Sequence, residues 1–267
     1  MTQSIRIFAI ALCTILIAGC SSRNPSQSSN PAAPGFDVAG SDAKAIEIAD
    51  RVMQALGGRQ AWDQTGYLVW RFFGKRLHVW DKQAGLDRIE YSTPEGDAIV
   101  LVVNVDDATG RAWKNGKEVT DAAELAELLK GGRETWINDS YWMFMPWKLK
   151  DSGVTLKYVD ESDTLDGRPA DMLELTFKGV GVTPQNKYHV WVARDTNLVA
   201  QWAYFADASD PEPKFTVPWD NWKPYGSIML SDQRGEGRSH TDLGVYKRVP
   251  GGVFTSPEPI DRTKWEK

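Results

Sequence analysis

Between Tyr67 and Val105 the chain passes through four β-rich runs, Tyr67 to Phe73, Arg76 to Asp81, Asp87 to Tyr91 and Ile99 to Val105, separated by turn-length breaks. Breaks that short join antiparallel neighbours, because a parallel connection needs a crossover of about a dozen residues or more. Ile99-Val100-Leu101-Val102-Val103 is apolar on both faces, which places it centrally in the sheet, beneath a helix. Asn115-Gly116, between Lys114 and Lys117, accepts the positive φ values of a type I′ turn and marks a hairpin. Farther along, Val154, Leu156 and Tyr158 alternate with Thr155 and Lys157, and Leu173, Leu175 and Phe177 alternate with Glu174 and Thr176. Strands of this kind have one wet and one buried face. Lys187 to Arg194 and Leu198 to Phe205 flank the turn cluster Asp195-Thr196-Asn197 and make a long hairpin.

Two amphipathic helices interrupt this pattern. In the first, Ser41 or Asp42 is the cap, Ala45, Ile48, Ala49, Val52 and Leu56 form one stripe, and Gly57-Gly58 ends the helix. In the second, Asp121 and Glu124 are a cap-like pair, Ala122, Leu125, Leu128 and Leu129 form the stripe, and Gly131-Gly132 is the expected stop. Each stripe needs a surface to cover it, so the fold class is mainly antiparallel β with packed helices, an α+β arrangement.

The N-terminus bears on location. Arg6, the apolar run Ile7 to Ile17 and the small pair Ala18-Gly19 before Cys20 read as an export signal. The run is shorter than the roughly 20 residues a membrane span needs. It resembles the bacterial lipoprotein signal, which implies cleavage before Cys20 and a diacylglycerol on its thiol; an ordinary secretory signal with an incidental cysteine is the alternative. Ser21 to Gly40 is rich in Ser, Asn, Pro and Gly and reads as a flexible spacer with an end-to-end distance of about 25 Å. The expected organisation is a signal peptide over 1–19, a tether over 20–40 carrying acylated Cys20, and one domain over 41–267. Ser21 resembles the outer-membrane-sorted class. That likeness implies a cell-envelope protein held to the membrane by its lipid anchor, at the outer membrane and facing the periplasm.

Composition excludes several functions. Of the 267 residues, 227 follow Gly40, which is enough chain for a substantial core. A net charge of −5 argues against a nucleic-acid partner, which would call for clustered Lys and Arg. Cys13 and Cys20 are the only cysteines, so the domain after the tether has none for a disulfide, a metal site or a nucleophile. There is no Gly-x-Ser-x-Gly elbow, His-Glu-x-x-His or phosphate loop, and His78, His189 and His240 offer little material for a metal site. The expectation is a protein without catalytic or metal-binding residues and without a cofactor. A catalytic pair of distant carboxylates stays open.

Tryptophan is the compositional outlier, with 12 residues, and three stretches offer ligand contacts. Tyr141 to Trp147, which includes Trp142, Phe144 and Trp147, is a continuous apolar surface suited to acyl chains, or else a buried strand and a corner of the core. Pro218 to Tyr225 holds Trp219 and Trp222 between two prolines that argue for a loop, with the aromatics at a rim or packed onto the barrel end. The tripeptide His-Val-Trp occurs at 78–80 and again at 189–191. If both copies face one concavity, His78, Trp80, His189 and Trp191 form a polar-aromatic patch; otherwise the repeat is coincidence or packing.

The signal, a helix ending in Gly-Gly, a long antiparallel meander with one inserted helix, and segments such as Trp136 to Trp142 and His189-Val190-Trp191 together resemble the periplasmic lipoprotein carriers and receptors, LolA and LolB. The resemblance covers most of residues 41 to 250. It implies a curved, unclosed β-barrel whose helices plug the opening around an apolar cavity for acyl chains. The implied function is a monomeric, non-catalytic, membrane-anchored lipoprotein that binds a lipid or a lipoprotein acyl chain. The competing reading is a structural or regulatory envelope interaction protein whose barrel is filled by its own side chains.

Overall fold

A computed structural model describes residues 29–267; the signal segment, Cys20 and the first part of the tether lie outside the described residues. Helix α1 (Ala43–Ala55) buries the predicted stripe of Ala45, Ile48, Ala49 and Val52, with Leu56 just beyond it, and ends where Gly57 takes φ 115°. Asp42 stands at its N-cap, yet its carboxylate accepts from the backbone N–H of Tyr158 at 3.0 Å, tying the helix start to a strand instead of capping it. A short helix, α2 (Arg59–Gln64), follows at once and has no clear apolar period in the sequence; Arg59 and Asp63 pair along it at 2.8 Å.

The opening meander forms as β1 (Tyr67–Phe72), β2 (Arg76–Asp81), β3 (Leu86–Ser92), β4 (Ala98–Asn104), β5 (Gly110–Lys114) and β6 (Lys117–Glu118). Asn115 and Gly116 adopt φ 51° and 76°, as the hairpin turn requires. Helix α3 (Ala122–Phe144) and a 3₁₀ turn (Met145–Lys148) lead into β7 (Val154–Glu161), β8 (Ala170–Phe177), β9 (Lys187–Ala193), β10 (Val199–Phe205) and β11 (Phe215–Pro218). A ribbon of β12 (Asp220–Tyr225) and β13 (Ile228–Gln233) precedes β14 (Thr241–Tyr246). β14 returns to β1, giving a seven-stranded sheet in the order β14-β1-β2-β3-β4-β5-β6 beside a five-stranded sheet in the order β11-β10-β9-β8-β7. Every pairing is antiparallel, and the result is a curved, unclosed half-barrel.

The main core lies where the inner faces of both sheets meet the helices. Trp70 of β1, Leu156 of β7, Leu175 of β8, Trp202 of β10, Ile48 of α1 and Phe144 of α3 all belong to it. Each large side chain removed from water there contributes roughly 1.5–3 kcal/mol.

Three sequence expectations need correction. The second helix does not stop at Gly131-Gly132 but runs on to Phe144. Glycine there serves packing, because a Cβ on Gly132 would lie 2.8 Å from Leu101 Cδ1, so the missing side chain lets the helix approach β4 closely. Tyr141 to Trp147 is therefore the end of a helix and a 3₁₀ turn, not a strand. The prolines at 218 and 224 do not mark a loop. Pro218 closes β11 at a sheet edge and Pro224 lies in the two-stranded ribbon, positions that tolerate a missing N–H.

The third correction concerns the described part of the tether, which is docked. Phe36 is buried, Ala33 N donates to Lys150 O at 3.0 Å, Asp37 N to Val154 O at 3.0 Å, and Gly153 N to Gly35 O at 2.9 Å. These bonds run the segment along the edge of β7 and cover it. Gly251 to Lys267 folds back onto the first sheet, with Arg248 and Glu266 forming an isolated antiparallel bridge. Val253 and Trp265 pack with Val69, Val79 and Tyr246 against the face of the first sheet that is turned away from the main core.

Candidate functional site

The second half of α3 presents Arg133, Trp136, Ile137, Ser140 and Tyr141 at helical spacing along one face. That face lines a cleft of about 310 Å³, closed on the other side by Val154, Phe177 and Tyr188 of β7, β8 and β9 and by the loop carrying Val180 to Thr183. The walls are aromatic and mutually locked. Tyr141 lies 5.3 Å from Tyr188, Tyr188 stacks on Trp202 at 5.0 Å, and Trp142 meets Trp202 edge-on at 4.7 Å. Val182 on the loop is 49% exposed, which leaves an apolar side chain at the mouth. At the rim, Arg133 Nε donates to Val105 O at 2.7 Å, and Lys148 pairs with Asp151 at 2.8 Å.

Polar atoms of two residues that line the cleft itself lack partners among the described residues. The Tyr141 hydroxyl and the Trp136 indole N–H are both buried without a hydrogen bond among the described residues. Burial pushes the Tyr141 phenol well above its ordinary value, so the group stays a neutral O–H able to donate. An unpaired buried hydroxyl costs about 1–3 kcal/mol. The arrangement can take up an apolar chain that carries an acceptor group.

The other face of α3 is held by buried charge. His78 Nδ1 lies 2.7 Å from Asp87 Oδ2, His78 Nε2 lies 3.0 Å from Asp139 Oδ2, and Arg76 donates to both Asp139 oxygens at 2.7 and 2.9 Å. Burial works against a charged His78 ring, but the carboxylates of Asp87 and Asp139 outweigh it and raise its pKa, so the imidazolium donates from both nitrogens. Burial likewise raises Asp87 against the pull of His78. In Asp139 the bonds from His78 and Arg76 overcome burial and hold the carboxyl low. His78, Asp87 and Asp139 are all 0% exposed, and Trp70 stacks on the ring at 4.4 Å. The cluster pairs a histidine with carboxylates but holds no nucleophile, and its members are closed to solvent; it binds helix to sheet.

Arg234 secures the end of the same helix. The carbonyl of Trp142 has no helical donor, because the residue four positions on is Pro146, which lacks an N–H. Arg234 Nη2 and Nε supply donors at 3.1 and 3.2 Å, and its guanidinium rests 3.5 Å above the Trp219 ring.

The aromatic residues expected from sequence do not form one site. Trp142 lines the cleft, and Trp80 is half-buried 5.3 Å from the cleft residue Trp136. Phe144, Trp147 and Trp219 are buried in the main core. Trp222 is fixed by donating Nε1–H to Val199 O at 2.8 Å. Trp191 packs with Ala203 and Phe205 on the face of the second sheet turned away from that core. His78 and Trp80 face inward from the first sheet while His189, bonded to Glu174 at 3.1 Å, shares the outward face with Trp191, so the two tripeptides make no common patch.

Sequence reasoning missed Asp87, Asp139, Arg76, Tyr141 as a donor and Arg234. A signal existed for Asp87 alone: His78 pairs with Ile89, so Asp87 is its diagonal neighbour on the same core-facing side.

No family model matches the chain, and no curated protein matches it. Solved structures give weak likenesses. A DUF1329 family protein from Desulfovibrio piger is similar at 12% identity and a TM-score of 0.41, over 79% of this chain and 96% of that one. MucB in complex with MucA(peri) gives 16% and 0.25, over 79% of this chain and 66% of that one. The MucA/MucB complex of Pseudomonas aeruginosa gives 15% and 0.26, over 79% and 68%. At identities and TM-scores this low, these likenesses decide neither relationship nor function.

Proposed function

We propose that this protein is a non-catalytic binder of a single apolar chain bearing a hydrogen-bond acceptor, such as one acyl chain of a lipid or lipoprotein, held in the cleft between α3 and the second sheet. The observation that carries the reading is the aromatic-walled cleft lined by Tyr141, whose buried hydroxyl has no partner among the described residues. Each buried methylene contributes about 0.8 kcal/mol to binding. At about 310 Å³ the cleft falls near the lower end of ligand pockets, roughly 300–1,000 Å³, and suits one chain better than several. Acylation of Cys20 and attachment to the outer membrane facing the periplasm complete the proposal and draw support from the signal-like N-terminus; action as a monomer is proposed with them on the resemblance to the carriers.

A second reading draws on the same structure. Trp70, Phe144, Trp147, Trp202 and Trp219 pack into the core between the sheets, as the side chains of a structural or regulatory envelope interaction protein would.

The deciding experiment delipidates the purified protein and titrates it with brominated fatty acids while following tryptophan fluorescence, with native mass spectrometry of the undelipidated sample. Saturable quenching and a co-purifying lipid support the binder. Absence of both sinks it and leaves the interaction reading.

A further inference from the structure

We propose that the free edge of β14 is a strand-addition site for a short, extended, acidic peptide segment. The register of the first sheet shows why this edge is open. Lys82 N donates to Gly66 O at 3.0 Å, so Gly66 faces β2, and by alternation Tyr67 and Val69 face β14. Their partners Tyr246 and Gly244 turn their backbone groups back to β1, whereas Val245, opposite Leu68, turns its N–H and C=O away from the sheet. One position farther along the same edge, Lys247 N already donates to Glu266 O at 2.8 Å. An extended segment of this chain thus pairs with the edge at one end and leaves Val245 open.

At the β7 edge the segment from Ala33 to Asp42 covers such a row of backbone groups. Beside β14 there is instead a groove of about 640 Å³, whose far side is the turn joining β12 and β13. Its charged lining is all of one sign: Lys247, Arg262 and Lys267, with no carboxylate side chain, on a chain of net charge −5. Arg262 is partly engaged with the Tyr246 hydroxyl at 2.9 Å and with Asp242 at 3.8 Å. Lys247 has no ion-pair partner among the described residues. Main-chain pairing at Val245 supplies the backbone recognition, and alternate acidic side chains meet the cations. Different elements line this groove and the α3 cleft, so neither site depends on the other.

The test uses the full chain and a fluorescent nine-residue peptide alternating Thr and Glu. Three controls accompany it: a Thr/Lys peptide, a Thr/Glu peptide N-methylated at alternate amides, and phosphatidylglycerol vesicles. The site requires saturable binding of the Thr/Glu peptide, slower hydrogen exchange at the Val245 amide on binding, and affinity reduced by about tenfold in Lys247→Glu. Equal binding of the Thr/Lys or N-methylated peptide overturns it, as does unchanged exchange at Val245 or no binding at all. Vesicle binding that Lys247→Glu abolishes, without peptide binding, assigns the patch to an anionic membrane surface and also overturns it.

Discussion

The ring of His78 donates to Asp139 Oδ2 at 3.0 Å, joining β2 to α3 through two side chains that are both 0% exposed. The contact fixes one face of a helix whose other face lines the cleft, and Asp139 also accepts from the side chain of the cleft residue Asn138 at 2.8 Å, so the geometry of the cleft depends on a buried charge pair behind it. Removing Asp139 leaves His78 and Arg76 without their shared acceptor. Asp139→Ala is expected to lower unfolding free energy by about 3–5 kcal/mol in urea denaturation. A loss within about 1 kcal/mol would show that the helix is held by apolar packing alone.

The same network sets a pH dependence. The folded-state pKa of His78 is raised from 6.5 to about 9, so its stabilisation is fully present below 6.5 and is lost as pH rises through about 9. Asp87, also raised, acts in the same direction at lower pH, and Asp139, lowered, acts oppositely in acid. Between pH 6.5 and 9.5 the protein should lose on the order of 3 kcal/mol more than His78→Gln does. Parallel stability curves for the two proteins over that window would remove the imidazolium from the account.

Gly131 and Gly132 should respond in opposite ways. A Cβ on Gly131 meets nothing within 4 Å, so Gly131→Ala gains helix propensity and should raise stability by about 0.5–1 kcal/mol. Gly132 faces Leu101, and Gly132→Leu should cost about 1–3 kcal/mol by pushing α3 off β4. Thermal melts of the two variants test the packing account; similar shifts would contradict it.

Arg234 is irreplaceable by lysine on this geometry. Its fork serves the Trp142 carbonyl, Ser231 Oγ and the Gln233 carbonyl together, which an ammonium cannot reproduce. Arg234→Lys should cost about 2 kcal/mol or more and speed amide exchange in the last turn of α3. Exchange that stays slow would place the helix stop elsewhere.

Ligand binding should separate the tryptophans. Trp142→Ala should weaken fatty-acid affinity by about tenfold or more, while Trp191→Ala, altered on the opposite sheet face, should leave it within about twofold. Tyr141→Phe should keep the fold and weaken ligands with an acceptor oxygen more than plain alkanes. Titration of the four proteins with both ligand types reads this out.

Strands were the most legible part of the chain. Their period of two and the Asn115-Gly116 turn are local signals, and β1 to β5, β7 to β10 and α1 lie where those signals fall. α3 was legible at its start and misread at its end, because two glycines look like a stop to any local rule, and only β4 beside Gly132 gives them another purpose. Pro218 and Pro224 misled for the same reason: a proline breaks a ladder only if a neighbour needs its N–H, and edge position is not written locally.

The sequence by itself determined an antiparallel β-rich domain with amphipathic helices, and it singled out an aromatic segment around Trp142 as worth watching. Tertiary structure alone decided that the segment ends a helix, that Trp191 faces away while Tyr141 faces in, and that His78 and Asp139, 61 residues apart, share a hydrogen bond. Local periodicity and turn chemistry act over a few residues, whereas a cleft and a buried charge pair exist only after helix and sheet have docked. The docking itself depends on residues as distant as Gly132 and Leu101, or Arg234 and Trp142, whose carbonyl the guanidinium satisfies.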